Sequence, residues 1–388
     1  MVFFHMMEIF GFRIKVILLL LLVSGPFWGC SDRNNPDGLP LIVIQPNRIT
    51  EEVSNLSSYV SELEVFPLVN DTTAFKGVTK LLISNNYFIL SGGVVFAESF
   101  AGSELRKIGN IGRGPGEYLS IKDIAISPDG KELWCLELYN SILRYDAEDG
   151  HFLGKVDITK DIGYVKGIIP ISPTELALYI PNPTTTGYCL SFYNTNGKET
   201  GNAMPYSQYN FDMGFSLPVA VSDDDIYAIS PESKMPSIIY HNGIPEKQYV
   251  FDFGNKTPPD KYYSLNQDDP WGGFGELFEM DYYKHISSLY FPKDDIYFRA
   301  FGKDSSSWNY YINKENTHGI RWKSVGVMSP PICPVATAGG YVYFPYDDYG
   351  YLSLKDEKDI LKKLVIERFG LPERPRATFL IKVKFNVQ

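Results

Sequence analysis

Six short stretches of this chain repeat one pattern, and the repeat limits the fold more than any other feature. They are residues 87–90, 133–136, 176–179, 226–229, 296–298 and 341–344, each rich in aliphatic and aromatic residues. Their first residues lie 46, 43, 50, 70 and 45 positions apart. Such runs, bounded by turn residues, read as strands. Most follow a polar turn, as at Pro128-Asp129-Gly130, Asp223-Asp224-Asp225 and Asp294-Asp295. A second strand follows most of them, at 142–146, 190–194 and 238–242, and more loosely at 310–313. Glycines close these units at Gly150, Gly197, Gly243 and Gly319 and supply the positive φ that tight turns need. A third strand often comes next, as at 152–156.

Multi-stranded repeats of 40 to 50 residues are the pattern of a β-propeller. One blade cannot bury both of its faces, so blades must stack on one another around a ring. Six copies predict an all-β, six-bladed propeller over residues 61–388. Two ends remain, 63–68 before the first copy and 377–385 after the last, and one is expected to complete a blade begun at the other. That closure leaves no open sheet edge. Ile360, Leu361, Leu364 and Val365 recur at helical spacing and predict a short helix within 355–369, in the last blade. The longest interval, from Ile226 to Ile296, implies an insertion near 258–283.

The N-terminus gives an address. Arg13 and Lys15 precede an apolar run at 16–23, which Ser24, Gly25 and Pro26 break before Gly29-Cys30. This is the layout of a secretory signal over residues 1–29. The apolar run is shorter than the roughly 20 residues that span a bilayer. Gly29-Cys30 resembles the end of a lipobox, which makes Cys30 the lipidation site and residues 30–60 a lipidated tether. Ser31-Asp32 resembles the start of an acidic surface-export tag, and Arg33 interrupts it, so the leaflet stays open. The expected address is the outer membrane, with the membrane reached through the lipid.

The formal net charge is −10, and loss of Glu8, Arg13 and Lys15 with the signal makes the mature chain more acidic by a single unit. Nucleic-acid binding needs a basic stripe, so this class is excluded. Beyond Cys30 the cysteines are Cys135, Cys189 and Cys333, far apart and each beside apolar residues. They read as buried free thiols, with no zinc or redox motif.

Residues 109–118 read Gly-Asn-Ile-Gly-Arg-Gly-Pro-Gly-Glu-Tyr and lead into an apolar strand at 121–126. The segment resembles the Gly-Arg-Gly-Pro-Gly-Glu-aromatic signature of the bacterial 6-bladed beta-propeller lipoprotein family. The likeness extends over about residues 60–388 and implies architecture and address rather than activity. Physically, three glycines around Arg113 and Pro115 make a tight loop. It is not a phosphate cradle, because the G-x-x-x-x-G-K-[ST] spacing is missing and a strand follows in place of a helix. Arg113 and Glu117 are expected to pair locally and lock the junction between blades. The alternative points them, with Tyr118, into the channel or a rim pocket as a binding site.

No catalytic set stands out. His151, His241, His285 and His318 fall in different repeats with no metal-ligand spacing, so no metal or cofactor is expected. There is no G-x-S-x-G elbow. The acidic clusters read as blade turns. The insertion carries Trp271, Phe274, Tyr282 and Tyr283, which either stack on a ligand or fold back over the blade. Aromatic residues make up 15% of the chain, a share that suits strands and glycan or peptide surfaces alike. The leading expectation is a cell-envelope binding or scaffold propeller for a glycan, peptide or partner protein. The rivals are a propeller enzyme of lyase or glycoside-processing type, with carboxylates or histidines converging on the axis, and a purely structural subunit.

Overall fold

Each repeat folds into one antiparallel sheet, and six sheets close into a ring. The computed structural model describes residues 38–68, 77–99, 105–158, 161–182, 185–206, 219–222, 226–229, 236–262, 276–277, 279–283, 286–302, 306–325, 333–346, 359–372 and 377–387. Blade 1 comprises Val78–Ile83, Asn86–Ser91, Val94–Ser99 and Leu105–Ile108. Blade 2 comprises Ile121–Ile126, Glu132–Glu137, Ile142–Asp146 and Phe152–Val156. Blade 3 comprises Gly167–Ser172, Glu175–Tyr179, Tyr188–Asn194 and Glu199–Pro205. Blade 4 is built on Val219–Ser222, Ile226–Ile229, Ser237–His241 and Ile244–Phe251. Blade 5 is built on Ile286–Tyr290, Ile296–Phe301, Ser306–Ile312 and Gly319–Val325. Blade 6 takes Ala336–Ala338, Tyr341–Tyr346 and Phe379–Phe385 from the C-terminal region and Val60–Pro67 from the N-terminal region.

The repeated stretch in the sequence is the second strand of each blade. An inner strand precedes it; the inner strands of blades 1 to 5 touch in sequence, and that of blade 6 touches blade 1. Successive residues of a strand face opposite neighbours. In blade 2, Leu133 and Cys135 pack toward blade 1, while Trp134 and Leu136 pack toward blade 3. Six apolar clusters result, one between each adjacent pair of blades. Both faces are buried, so the strands read as near-continuous apolar runs. Cys135 and Cys189 are wholly buried, Cys333 partly so, and all three are free thiols.

Closure follows the expectation from the two ends. Phe379–Phe385 pairs antiparallel with Val60–Pro67, Ile381 opposite Val65 and Val383 opposite Leu63. Lys384 and Lys382 add surface ion pairs to Glu62 and Glu64 at 2.8 and 3.1 Å. Such exposed pairs add little to stability, because water screens them and two long side chains must be held in place. The expected helix forms at Ile360–Phe369. Asp359 caps it, accepting Leu361 and Lys362 N–H groups at 3.0 and 3.2 Å, and Gly370 ends it at φ +65°.

The expected tether needs correction. Leu41–Ile44 pairs in parallel with Ile244–Phe251 as a fifth strand of blade 4. Thr50–Glu52 pairs in parallel with Gly319–Val325 as a fifth strand of blade 5. The physical cause is burial: Ile44 and Leu56 are 1% and 0% exposed, and Ile44 joins the core between blades 4 and 5. A polar lead-in therefore ends near residue 40, and the chain beyond it runs along blades 4 and 5 before completing blade 6.

An ion pair lies buried among the inner strands. Lys80 and Asp123, on the inner strands of blades 1 and 2, form an ion pair of 2.6 Å at 3% and 1% exposure. Asp123 also accepts the Ile124 and Ile168 N–H groups at 2.9 Å each, so one carboxylate ties three blades. Burial pushes this carboxyl up, and the Lys80 ammonium and the N–H donors oppose that shift. The inner strands of blades 4 and 6 also come into contact across the ring.

Buried tyrosines give the ring a pH limit. Burial pushes Tyr118, Tyr193 and Tyr249 up to about 12, and Tyr240, Tyr290 and Tyr310 also upward. A phenol with a raised folded pKa contributes stability that is whole below its unfolded pKa of about 10 and is lost as pH rises. The ring is expected to unfold cooperatively between about pH 10 and 12. Phenolate absorbance from the buried tyrosines should follow the loss of circular dichroism rather than precede it; ionisation of all the tyrosines with the fold intact would refute the burial account.

Candidate functional site

Connections alternate between the two ends of the ring because the strands alternate. One end carries turns such as 84–85, 173–174, 242–243 and 339–340, and its longest connection is 313–318. The other end carries the crossings between blades and the middle turn of each blade. Those crossings include the motif loop after Ile108, the long connection from Phe251 to Ile286, and the segment from Tyr346 to Phe379 that holds the helix. Long connections on a rigid scaffold are where binding surfaces form, so this end is where a site is to be sought.

The motif loop lies there and is locked from within. Asn110–Ile111 and Glu117–Tyr118 pair in parallel as a small ribbon. The Gly112 N–H donates to Tyr118 O and the Glu117 N–H to Gly114 O, both at 3.0 Å. The Glu117 carboxylate folds back to accept the Gly114 N–H at 2.7 Å. A Cβ on Gly112 would fall 2.0 Å from that carboxylate. One on Gly109, at φ +64°, would fall 2.6 Å from the Tyr145 hydroxyl. Glycine is needed at Gly109 for space and for conformation, whereas a side chain at Gly112 would displace the Glu117 carboxylate from the loop.

The expected Arg113–Glu117 pair is not formed, because Glu117 turns to the loop backbone instead. Arg113 is exposed and makes no ion pair among the described residues. Tyr118 is 0% exposed, so it is a core residue and not a ligand contact. Its hydroxyl donates to Ile108 O at 2.9 Å and accepts the Val95 N–H at 3.2 Å, pinning the loop to blade 1.

Beside the loop lies a cleft of about 750 Å³. Arg113, Pro115 and Glu117 form one wall, and Glu137, Tyr139, Leu143, Phe152 and Lys155 of blade 2 form the other. Tyr139 is 69% exposed. Glu137 is nearly buried and is held by the Leu119 N–H at 3.2 Å and the Ser141 hydroxyl at 2.7 Å. Next to Tyr139, Lys122 donates to Asn140 Oδ1 at 2.9 Å and lies 4.4 Å from the Tyr164 ring centre. Burial pulls the Lys122 ammonium down to about 8. Sequence reasoning missed Tyr139, Glu137 and Lys122. A visible signal existed: Leu138 and Tyr139 are apolar residues at a turn where polar ones are usual.

The insertion aromatics divide. Tyr283 packs on Phe253 with ring centres 4.3 Å apart, and Tyr282 lies 6.0 Å from Tyr262. These two fold back onto the blade. Trp271 and Phe274 lie outside the described residues, as do His285 and Cys30. At the short-turn end, the axis opens as a funnel of about 510 Å³ walled by Leu81, Ile83, Ile126, Val221 and Phe291, with Lys293 and Asp294 among its lining residues. His151 is exposed on the outer hairpin of blade 2, so neither it nor Arg113 converges on the axis.

Among the described residues, one group of metal-ligand types comes together despite the lack of a sequence motif: Asp146, Asp149 and His151. It is the solvated turn before Phe152. The Asp146 carboxylate accepts the Glu148 and Asp149 N–H groups at 2.8 and 3.0 Å, and Asp149 meets His151 Nδ1 at 2.6 Å. These bonds account for the turn without an ion. His241 and His318 also sit at turns, beside Glu246 and Thr317.

Residues 41–359 match the family model described as Domain of unknown function (DUF4934). The chain belongs to this family. The match takes in the fifth strand of blade 4 and stops at the cap of the helix, so most of the ring is family core. No curated protein matches the DUF4934 chain. Among solved structures, it is similar to a Bacteroides fragilis protein named only for its expected export. Identity is 15%, the TM-score 0.63, and the likeness covers 89% of this chain and 99% of that one. U3-55K covers 82% and 98% of the two chains at 12% identity, and the RRP9 WD40 repeats 86% and 99% at 12%, both with a TM-score of 0.44. The first of these likenesses shows the propeller fold, and none of them bears on activity.

Proposed function

We propose that this DUF4934 protein is an exported binding propeller of the cell envelope, lipid-anchored at Cys30 in the outer membrane, that holds a glycan on its long-connection end. The motif cleft carries the reading. Its volume falls in the range of about 300–1,000 Å³ typical of ligand sites. It offers an exposed ring at Tyr139, a guanidinium at Arg113 with no ion pair among the described residues, and a fixed carboxylate at Glu137. An aromatic face suits the apolar face of a sugar ring, and the two charged groups suit its hydroxyls. Trp271 and Phe274 belong to a connection that begins and ends on the same side of the ring and are kept as proposed contacts. Export is supported by the signal-like N-terminus and by the name of the Bacteroides fragilis neighbour. An axial enzyme is less well supported, because Lys80 and Asp123, the charged pair buried among the inner strands, bond to each other.

The test is calorimetric titration of residues 31–388 against a panel of cell-surface glycans and extended peptides. Arg113→Ala and Tyr139→Ala should each weaken glycan binding by at least about tenfold, or about 1.4 kcal/mol, with unchanged thermal stability. Peptide binding lost in the same variants would keep the binding role and replace the ligand. Absence of binding across the panel, or turnover of any member, would overturn the proposal.

A further inference from the structure

The outermost strands of the blades are not alike. Natural sheets blunt exposed edges with charge. Blade 1 has Arg106 and Lys107 on its outer strand, blade 2 Lys155, blade 3 Glu199, blade 5 Glu51 and Glu52, and blade 6 Glu62 and Glu64. The outer strand of blade 4, Leu41–Ile44, carries no charge. Ile42 and Ile44 turn inward toward blade 5. Leu41 and Val43 turn outward and are 57% and 54% exposed. Val43 sits opposite Val250, which is itself half-buried, so the apolar surface continues onto the next strand.

This strand is also where the described chain begins. Seven residues lie between Cys30 and Gly38, and at full extension the eight steps from one to the other reach at most about 29 Å. A compact chain of this length has a radius of gyration of about 20 Å, so its full width exceeds that reach. An anchor at Cys30 therefore cannot leave any blade other than the fourth and its neighbours nearest the membrane.

We infer that the rim of blade 4, through Leu41 and Val43, lies against the lipid bilayer. The inference rests on the lipid-anchor reading of Cys30. Apolar side chains at an interface add a second contact to a lipid chain, and two contacts hold a protein where one is marginal. The ring then stands on its edge, and both of its open ends face sideways, free of the membrane. A binding end held this way stays open to ligand while the anchor is engaged. The acidic surface does not oppose this arrangement, because the contact strand itself is uncharged.

The experiment uses the full lipidated protein, purified from membranes and placed in phosphatidylcholine vesicles. In a Cys333→Ser background, an environment-sensitive fluorophore is attached at Val43→Cys, or at Lys107→Cys on the opposite blade. Nitroxide-labelled lipid should remove most of the emission at position 43 and leave position 107 unchanged. Mass spectrometry of the same sample reports whether Cys30 is acylated. Equal quenching at both positions, or none at 43 with Cys30 acylated, overturns the membrane contact and leaves the anchor standing. An unacylated Cys30 overturns the anchor, and the contact with it. A signal-less chain that dimerises in solution, with position 43 shielded from water by the partner, assigns the strand to a second copy and also overturns the proposal.

Discussion

A chain lacking residues 1–67 is expected not to form the ring at all. It loses the outer strand of blade 6 and leaves Phe379–Phe385 as an open edge. It also loses Ile44, Leu56, Val60 and Leu63, none more than 9% exposed. At about 1.5–3 kcal/mol for each buried side chain, the loss is roughly 6–12 kcal/mol. Native domains are stable by about 5–15 kcal/mol, so most or all of the stability goes. A chain starting at residue 54 is the informative comparison. It keeps Leu56, Val60 and Leu63 and should fold, with lower stability from the loss of Ile44 and the two parallel strands. Denaturant unfolding followed by circular dichroism distinguishes the two. A cooperative transition of unchanged midpoint in the shorter chain would show that the N-terminal strand does not close the ring.

Asp123→Ala is expected to cost about 3–5 kcal/mol, the usual penalty for leaving a buried charge without its partner. Lys80 would stay buried at the axis with no counter-ion. The Ile168 N–H would lose its acceptor as well. The double change Lys80→Met with Asp123→Leu removes both charges while keeping volume, and should recover most of the loss. What it cannot recover is the orphaned Ile168 N–H, worth about 1–3 kcal/mol. Denaturation midpoints of the single and double variants decide the matter. A double variant as unstable as the single one would place the cost in packing rather than in charge.

The motif loop shows how far residues alone could be read. Its glycines announced a tight turn, and the turn is there. The partner of Glu117 was not legible, because a backbone N–H three residues away leaves no mark in the sequence. Arg113 stood ready as the obvious counter-charge, yet the loop places the carboxylate on Gly114 first. Tyr118 was ambiguous for a similar reason. An aromatic residue beside a loop reads the same whether its ring faces solvent or the core. Tyr139 was passed over although it and Leu138 put apolar residues at a turn, because two residues make no repeating pattern.

Strand spacing, the alternation of turns and the two unpaired ends are local or nearly local properties, and they were enough to specify an all-β ring of six blades closed by its own termini. The helix at Ile360–Phe369 was legible on the same ground, through its period of apolar residues. The remaining features emerged only when the chain folded. Folding set residues 41–44 and 50–52 against blades 4 and 5, because parallel pairing at an edge needs a distant partner, as Leu41 has in Gln248 and Thr50 in Gly319, and has no sequence period of its own. It placed Lys80 beside Asp123 at the axis, 43 positions apart along the chain. It brought the motif loop and the turn at Tyr139 to the two sides of one cleft. A ring makes neighbours of distant residues by closing, and closure is a property of the whole chain rather than of any stretch within it.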